Sequence, residues 1–149
     1  MARKEMAVFT NMCMVTDGKG NVLVQDRHDA SWPGVVFPGG HVEEGESFTE
    51  SVIREVWEET GIRVEKPKLC GLKQFTTEDG YRYVVVFFKT DKFSGELRSS
   101  DEGEAMWVPR SELLNLKLVE GFEDMLHVFE NDEVSEVYWA PGEKDCVWF

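Results

Sequence analysis

The stretch from Gly40 to Ile62, GHVEEGESFTESVIREVWEETGI, limits what this chain can fold into more than any other. Glycines stand at its entrance, Gly39 and Gly40, and at its exit, Gly61. Between them the spacing predicts a helix over 48–60. Ser47 is the expected N-cap, and Glu50, three residues on, completes a reciprocal capping pattern. Gly61 is the expected C-terminal stop. Phe48, Val52 and Val56 recur four apart and give the helix an apolar face that can dock on a sheet. Glu55, Glu58 and Glu59 are three and four residues apart, so they form one acidic patch on an adjacent strip. Arg54 is their internal cation, placed to pair with Glu58 or, where the preceding loop folds back, with Glu46.

Clustered carboxylates repel one another and are retained most readily beside a cation. Magnesium takes hard oxygen ligands, keeps several waters and shares itself with substrate phosphates. The alternative is a solvated acidic helix with ordinary surface pairs. The preceding glycines, which permit close backbone approach to a ligand, shift the balance toward a metal site. A second acidic run, Asp101-Glu102-x-Glu104, reads by itself as a polar loop before a strand.

A formal net charge of -13, from 16 basic and 29 acidic residues, repels long nucleic acid polymers. It does not exclude a small anionic substrate whose charge is neutralised locally by metal. The 149 residues and 42% hydrophobic content fit one globular domain over 1–149. There is no apolar run of membrane-spanning length and no signal-peptide pattern, so no membrane partner and a cytoplasmic location are the expectations. Cys13, Cys70 and Cys146 form no metal or disulfide spacing; the first two read as small buried hydrophobes.

Strand-like segments run over 6–16 and 22–27, and the DGKGN turn between them suggests a hairpin-like pair. Further strands are expected at 69–77 and 81–90 around an EDG turn, the second nearly continuous in hydrophobic residues and so covered on both faces. A short strand is expected over 104–109, a helical turn over 110–115, and a second helix over 119–130 with Phe122, Met125, Leu126 and Phe129 as its stripe. The segment 93–100 is ambiguous. The aromatic ends at 137–139 and 147–149 either close the core or form a homodimer face. The order of strands and helices fits an α/β sandwich in a single domain.

Gly40, five residues, Glu46, seven residues, then Arg54-Glu55-Val56-x-Glu58-Glu59-x-Gly61-Ile62 resembles a complete Nudix box. The preceding FPGG and the strand pattern are similar to the same family over most of the domain. The resemblance implies the Nudix α/β/α sandwich, with a central mixed sheet and a catalytic loop-helix-loop. It implies hydrolysis of a nucleoside diphosphate linked to another group, with Mg²⁺ as cofactor and Mn²⁺ as the alternative. Glu55, Glu58 and Glu59 match the metal-ligand positions, with Gly40 beside them. Arg54 and Glu46 match the supporting positions, and Gly61 matches the exit glycine. Glu58 or Glu59 would help position or deprotonate the attacking water. Against the triphosphate-cleaving subgroup, Glu102 matches an additional ligand or base, with Glu104 as its alternative. The chain most resembles MutT-like nucleoside triphosphate pyrophosphohydrolases, which implies a small-molecule nucleotide substrate, 8-oxo-dGTP first among them. Hydrolysis of a dinucleoside polyphosphate or a nucleotide sugar is the alternative, and a non-catalytic nucleotide sensor the remaining one. Substrate contacts are expected from Arg27 on phosphate, from Phe37, Trp32, Phe75, Tyr81 or Tyr83 on the base, and from the Gly39 backbone. Asn115 or Asn11 would read a base edge.

Overall fold

The computed structural model describes residues 1–149. Strand β1 (Ala7–Val15) lies parallel to β6 (Arg82–Thr90), pairing Thr10 with Val85 and Met12 with Phe87. Strand β5 (Lys68–Thr76) runs antiparallel to β6 and parallel to β9 (Glu136–Trp139), which pairs with β10 (Val147–Trp148). This gives a mixed five-stranded sheet of order β1-β6-β5-β9-β10. A second sheet has β2 (Asn21–Arg27) between β3 (Gly34–Val36) and β8 (Gly103–Pro109), and β4 (Ile62–Val64) pairs with β7 (Phe93–Gly95).

The central strand β6 is apolar on both faces because both are covered. Val85 and Phe87 point into a core built with Met12, Phe37 and the Phe122, Met125, Leu126 and Phe129 stripe of α2 (Phe122–Glu130). Val86 and Phe88 point the other way, into a core with Cys13, Leu23 and the Val52 and Val56 face of α1 (Phe48–Thr60). Two helices thus flank the mixed sheet in an α/β/α arrangement. No helix is long and apolar enough to cross a membrane.

Several expectations are corrected. β1 and β2 do not form a hairpin: the chain crosses between sheets at the DGKGN turn, leaving only a Thr16–Val22 bridge. β1 takes β6 as its partner instead, because both strands are buried on both faces. The helix expected from residue 119 begins at Phe122, after Gly121 at φ 80°, and the Val119 N–H is spent on the Val35 carbonyl at 3.1 Å. Phe48 is not core; it is 42% exposed and packs on Phe9 at the helix entrance. The ambiguous segment at 93–100 supplies β7, and the aromatic ends supply β9 and β10.

Candidate active site

Helix α1 carries the acidic set and is closed at both ends. The Ser47 hydroxyl accepts the Glu50 N–H at 2.9 Å, and the Glu50 carboxylate accepts the Ser47 N–H at 3.1 Å. Gly61 ends the helix at φ 77°, a left-handed conformation that suits glycine. Its last carbonyls gain a further partner: the Arg98 guanidinium donates to the Trp57 carbonyl at 3.1 Å and lies over the Trp57 ring. Arg98 comes from a distant loop and carries no local signal.

Arg54 organises the exposed half of the patch. It donates to Glu46 through Nε at 2.7 Å and through Nη2 at 2.9 Å. It also donates to Glu55 at 2.9 Å and to Glu58 at 3.1 Å, so both expected pairings occur together. The Arg54 hydrogen bonds hold the Glu46 carboxyl down at about 2. The same Arg54 reaches the His41 carbonyl at 3.1 Å and so pins the entering loop to the helix.

Glu59 faces the other way. It is 3% exposed, and its Oε2 accepts the Gly39 N–H at 3.1 Å. Burial, then contact with the Glu102 carboxyl, pushes its pKa up to about 9. Burial also raises Glu55, against the pull of Arg54. Gly40 leaves room for Glu55: a Cβ there would sit 2.3 Å from the Glu55 carboxyl carbon. Gly40 is tied to Asn11 twice, its N–H donating to the Asn11 Oδ1 at 3.1 Å and its carbonyl accepting the Asn11 N–H at 2.8 Å. Asn11 in turn donates to the Ser51 hydroxyl at 2.8 Å. Asn11 is therefore a brace between strand, loop and helix.

Glu55, Glu59 and Glu102 line one cavity of about 810 Å³ with Gly39 and Gly40; Glu58 does not. Separate partners hold the carboxylates, and no three of them converge into a closed cage. The donor set is oxygen-only, and a buried carboxyl pressed against a second one requires a shared proton or a cation. That chemistry fits a hard divalent cation. Of the two candidates in the later loop, Glu102 reaches the cavity, while Glu104 lies exposed on β8 opposite Asp26.

The cavity also takes in Arg27, Trp32, Phe37, Phe75 and Tyr83. Arg27 is engaged by the Trp32 carbonyl and by Asp29. Phe37 is 1% exposed and packs edge-on to Phe122 and Phe129, so it forms wall and core together. Tyr81 is exposed and absent from the lining, and Asn115 is occupied on the surface by Glu112 at 3.1 Å. Sequence reasoning passed over Gln25, Lys73 and Ser51. Alternation along β2 puts Gln25 on the same strand face as Arg27, which was the available signal for it.

The NUDIX domain model matches residues 8–131. The chain belongs to the NUDIX family. It is 36% identical over 117 residues to the uncharacterized Nudix hydrolase YvcI of Bacillus subtilis, covering 75% of this chain and 72% of that protein. It is 31% identical to the ADP-ribose pyrophosphatase of Methanocaldococcus jannaschii, covering 68% of this chain but only 63% of that one. The crystal structure of the MutT mutator protein from Bacillus halodurans superposes with a TM-score of 0.77 at 30% identity, over 95% of this chain and 97% of that chain. In this Nudix domain the loop-helix-loop over 40–62 thus borders the cavity of about 810 Å³, with its buried acid turned inward.

Proposed function

We propose that this Nudix protein hydrolyses a nucleoside triphosphate to the monophosphate and pyrophosphate. Glu59 carries the reading: a buried carboxyl beside Glu102, lining the cavity and using one oxygen on the Gly39 N–H, is costly to keep unless a cation joins it. Glu55, Glu59 and Glu102 would hold Mg²⁺, with Mn²⁺ as the alternative, and the Gly40 carbonyl would be a further oxygen ligand. When bound, the ion lowers the pKa of a water and screens phosphate charge.

The chain's own residues do the rest. Arg54 fixes Glu55 against the Gly40 turn and keeps Glu46 and Glu58 from crowding it. Gly39 offers its N–H to Glu59, which keeps that carboxylate aimed into the cavity. Only once a bound cation had displaced the proton of Glu59 would that carboxylate, which lines the cavity as Glu58 does not, be able to accept the water's proton. Arg27 lines the cavity and would meet phosphate oxygens, and Trp32, Phe75 and Tyr83 would border the base with the ring surface that their own packing leaves open.

The resemblance of the 40–62 segment to MutT-like pyrophosphohydrolases supports a triphosphate substrate, and 8-oxo-dGTP is the modified nucleotide to test first, as a candidate step in nucleotide-pool sanitation. The ADP-ribose pyrophosphatase relative supports a second reading, cleavage of a nucleoside diphosphate sugar. A Mg²⁺-dependent turnover panel with product identification separates them. It should hold 8-oxo-dGTP, the common triphosphates, ADP-ribose and a dinucleoside polyphosphate. Pyrophosphate plus a monophosphate is the expected outcome. Exclusive cleavage of ADP-ribose would replace the first reading with the second, and no turnover of any member would remove both.

A further inference from the structure

Lys73 is a cation without a counter-ion. The lysines that form ion pairs are Lys89 and Lys92; Lys73 does not. Its Nζ lies 5.4 Å from the Trp32 ring centre, 5.3 Å from Phe75 and 5.1 Å from Trp139. Three ring faces hold the ammonium, yet rings offer it no lone pair to bond. Burial accordingly pulls its pKa down, against Asp124 and Glu120 at longer range.

Gln25 has the complementary defect. It is 1% exposed, and its Nε2 is buried with no hydrogen-bond partner. An unpaired buried donor is destabilising, and a protein without use for it sheds it by substitution. Both residues line the cavity from opposite walls, Gln25 on the three-stranded sheet and Lys73 on the five-stranded one. Lys73 stands level with Val85, which stands level with Thr10 of β1. Two strand spacings, about 10 Å, therefore separate Lys73 from the strand that braces the acidic turn. That leaves room for a sugar and a base. Phe75 and Tyr83, stacked on each other at 5.0 Å, border the same space.

We propose that Lys73 and Gln25 form a specificity subsite for an oxo-nucleobase, a planar ring whose edge presents carbonyl oxygens. An ammonium has donors only, so it accepts a carbonyl edge and opposes an exocyclic amine turned toward it. The amide of Gln25 supplies a second contact from the facing wall. Guanine and uracil rings fit this edge, and adenine and cytosine present an amine where guanine and uracil present a carbonyl. The subsite rests on the nucleotide reading given above but needs no turnover to be tested.

The test is calorimetric binding of GMP, UMP, AMP and CMP to the cation-free protein and to its Lys73→Met and Gln25→Met variants, with thermal melts of all three. The wild type is expected to bind GMP and UMP about tenfold more tightly than AMP and CMP, the scale of one charge-assisted hydrogen bond. Lys73→Met should erase that preference, and Gln25→Met should weaken GMP and UMP binding. Both variants should melt at or above the wild-type temperature, because each removes an unpaired buried polar group. Equal affinities in the wild type, no binding of any of the four, an unchanged preference in Lys73→Met, or a fall in melting temperature in both variants would overturn the subsite. Turnover of triphosphates without base preference would overturn the subsite alone. Binding of oxo-bases without turnover would overturn the hydrolytic reading alone.

Discussion

Glu59 and Glu58 are neighbours in sequence with opposite surroundings. Glu59 is buried against Gly39 and Glu102, and Glu58 is exposed and held by Arg54. Glu59→Gln should therefore lower kcat by at least about 100-fold, the scale of a lost acid–base group, while the melting temperature holds or rises. Steady-state kinetics with a thermal melt checks both halves, and a collapsed melt would make Glu59 a folding residue instead. Glu102→Gln should also depress kcat, and Glu104→Gln should leave it unchanged, because only the first side chain reaches the cavity. Gly40→Ala should injure kcat more than stability, since its new Cβ meets the Glu55 carboxyl rather than backbone. The acidic set was legible in the sequence because its members sit within one helix. What each carboxylate faces was not, because Gly39 and Glu102 reach Glu59 only through the fold.

At the scale of elements, α1 was read to the residue because its signals are local. Ser47, Glu50 and Gly61 cap it without help from elsewhere. Ser47→Ala should cost about 1 kcal/mol by denaturant unfolding. Gly61→Ala should cost more, because alanine must take φ 77° and its Cβ would meet the Glu96 carbonyl at 2.2 Å. The β5–β6 hairpin was legible for the same reason, its two strands being joined by a short turn. β4, β7, β9 and β10 were not, since each is short and owes its existence to a partner remote in sequence or to a sheet edge. The mistaken β1–β2 hairpin has that origin too. A turn-rich DGKGN permits a hairpin, but the sheet partner of β1 is β6, some seventy residues later. Lys73 escaped notice because the rings that hold it come from β5, β9 and the loop before β3.

For the molecule as a whole, two carboxyls give stability opposite dependences on pH. Glu46 is held at about 2 in the fold against an ordinary 4.5. Its contribution is complete above 4.5 and is lost as pH falls from there toward 2, so Glu46→Gln should flatten the acid limb of a Tm–pH profile. Glu59 is raised from 4.5 to about 9. Between those values the unfolded chain has released a proton that the fold keeps, so cation-free protein should lose stability as pH rises through that window. Added Mg²⁺ should reduce the loss and release protons near pH 7, which calorimetry in buffers of different ionisation enthalpy would register. The fold and the chemistry meet at this point: a mixed sheet flanked by two helices sets an acidic loop-helix-loop against a cavity wide enough for a nucleotide. The most direct measurement is pyrophosphate release from a nucleoside triphosphate by the wild type and Glu59→Gln side by side, with and without Mg²⁺. Cation-dependent release of one pyrophosphate per monophosphate by the wild type, absent from a fully folded Glu59→Gln, is the expected result. Release at the wild-type rate by Glu59→Gln, or none by the wild type, would contradict the account.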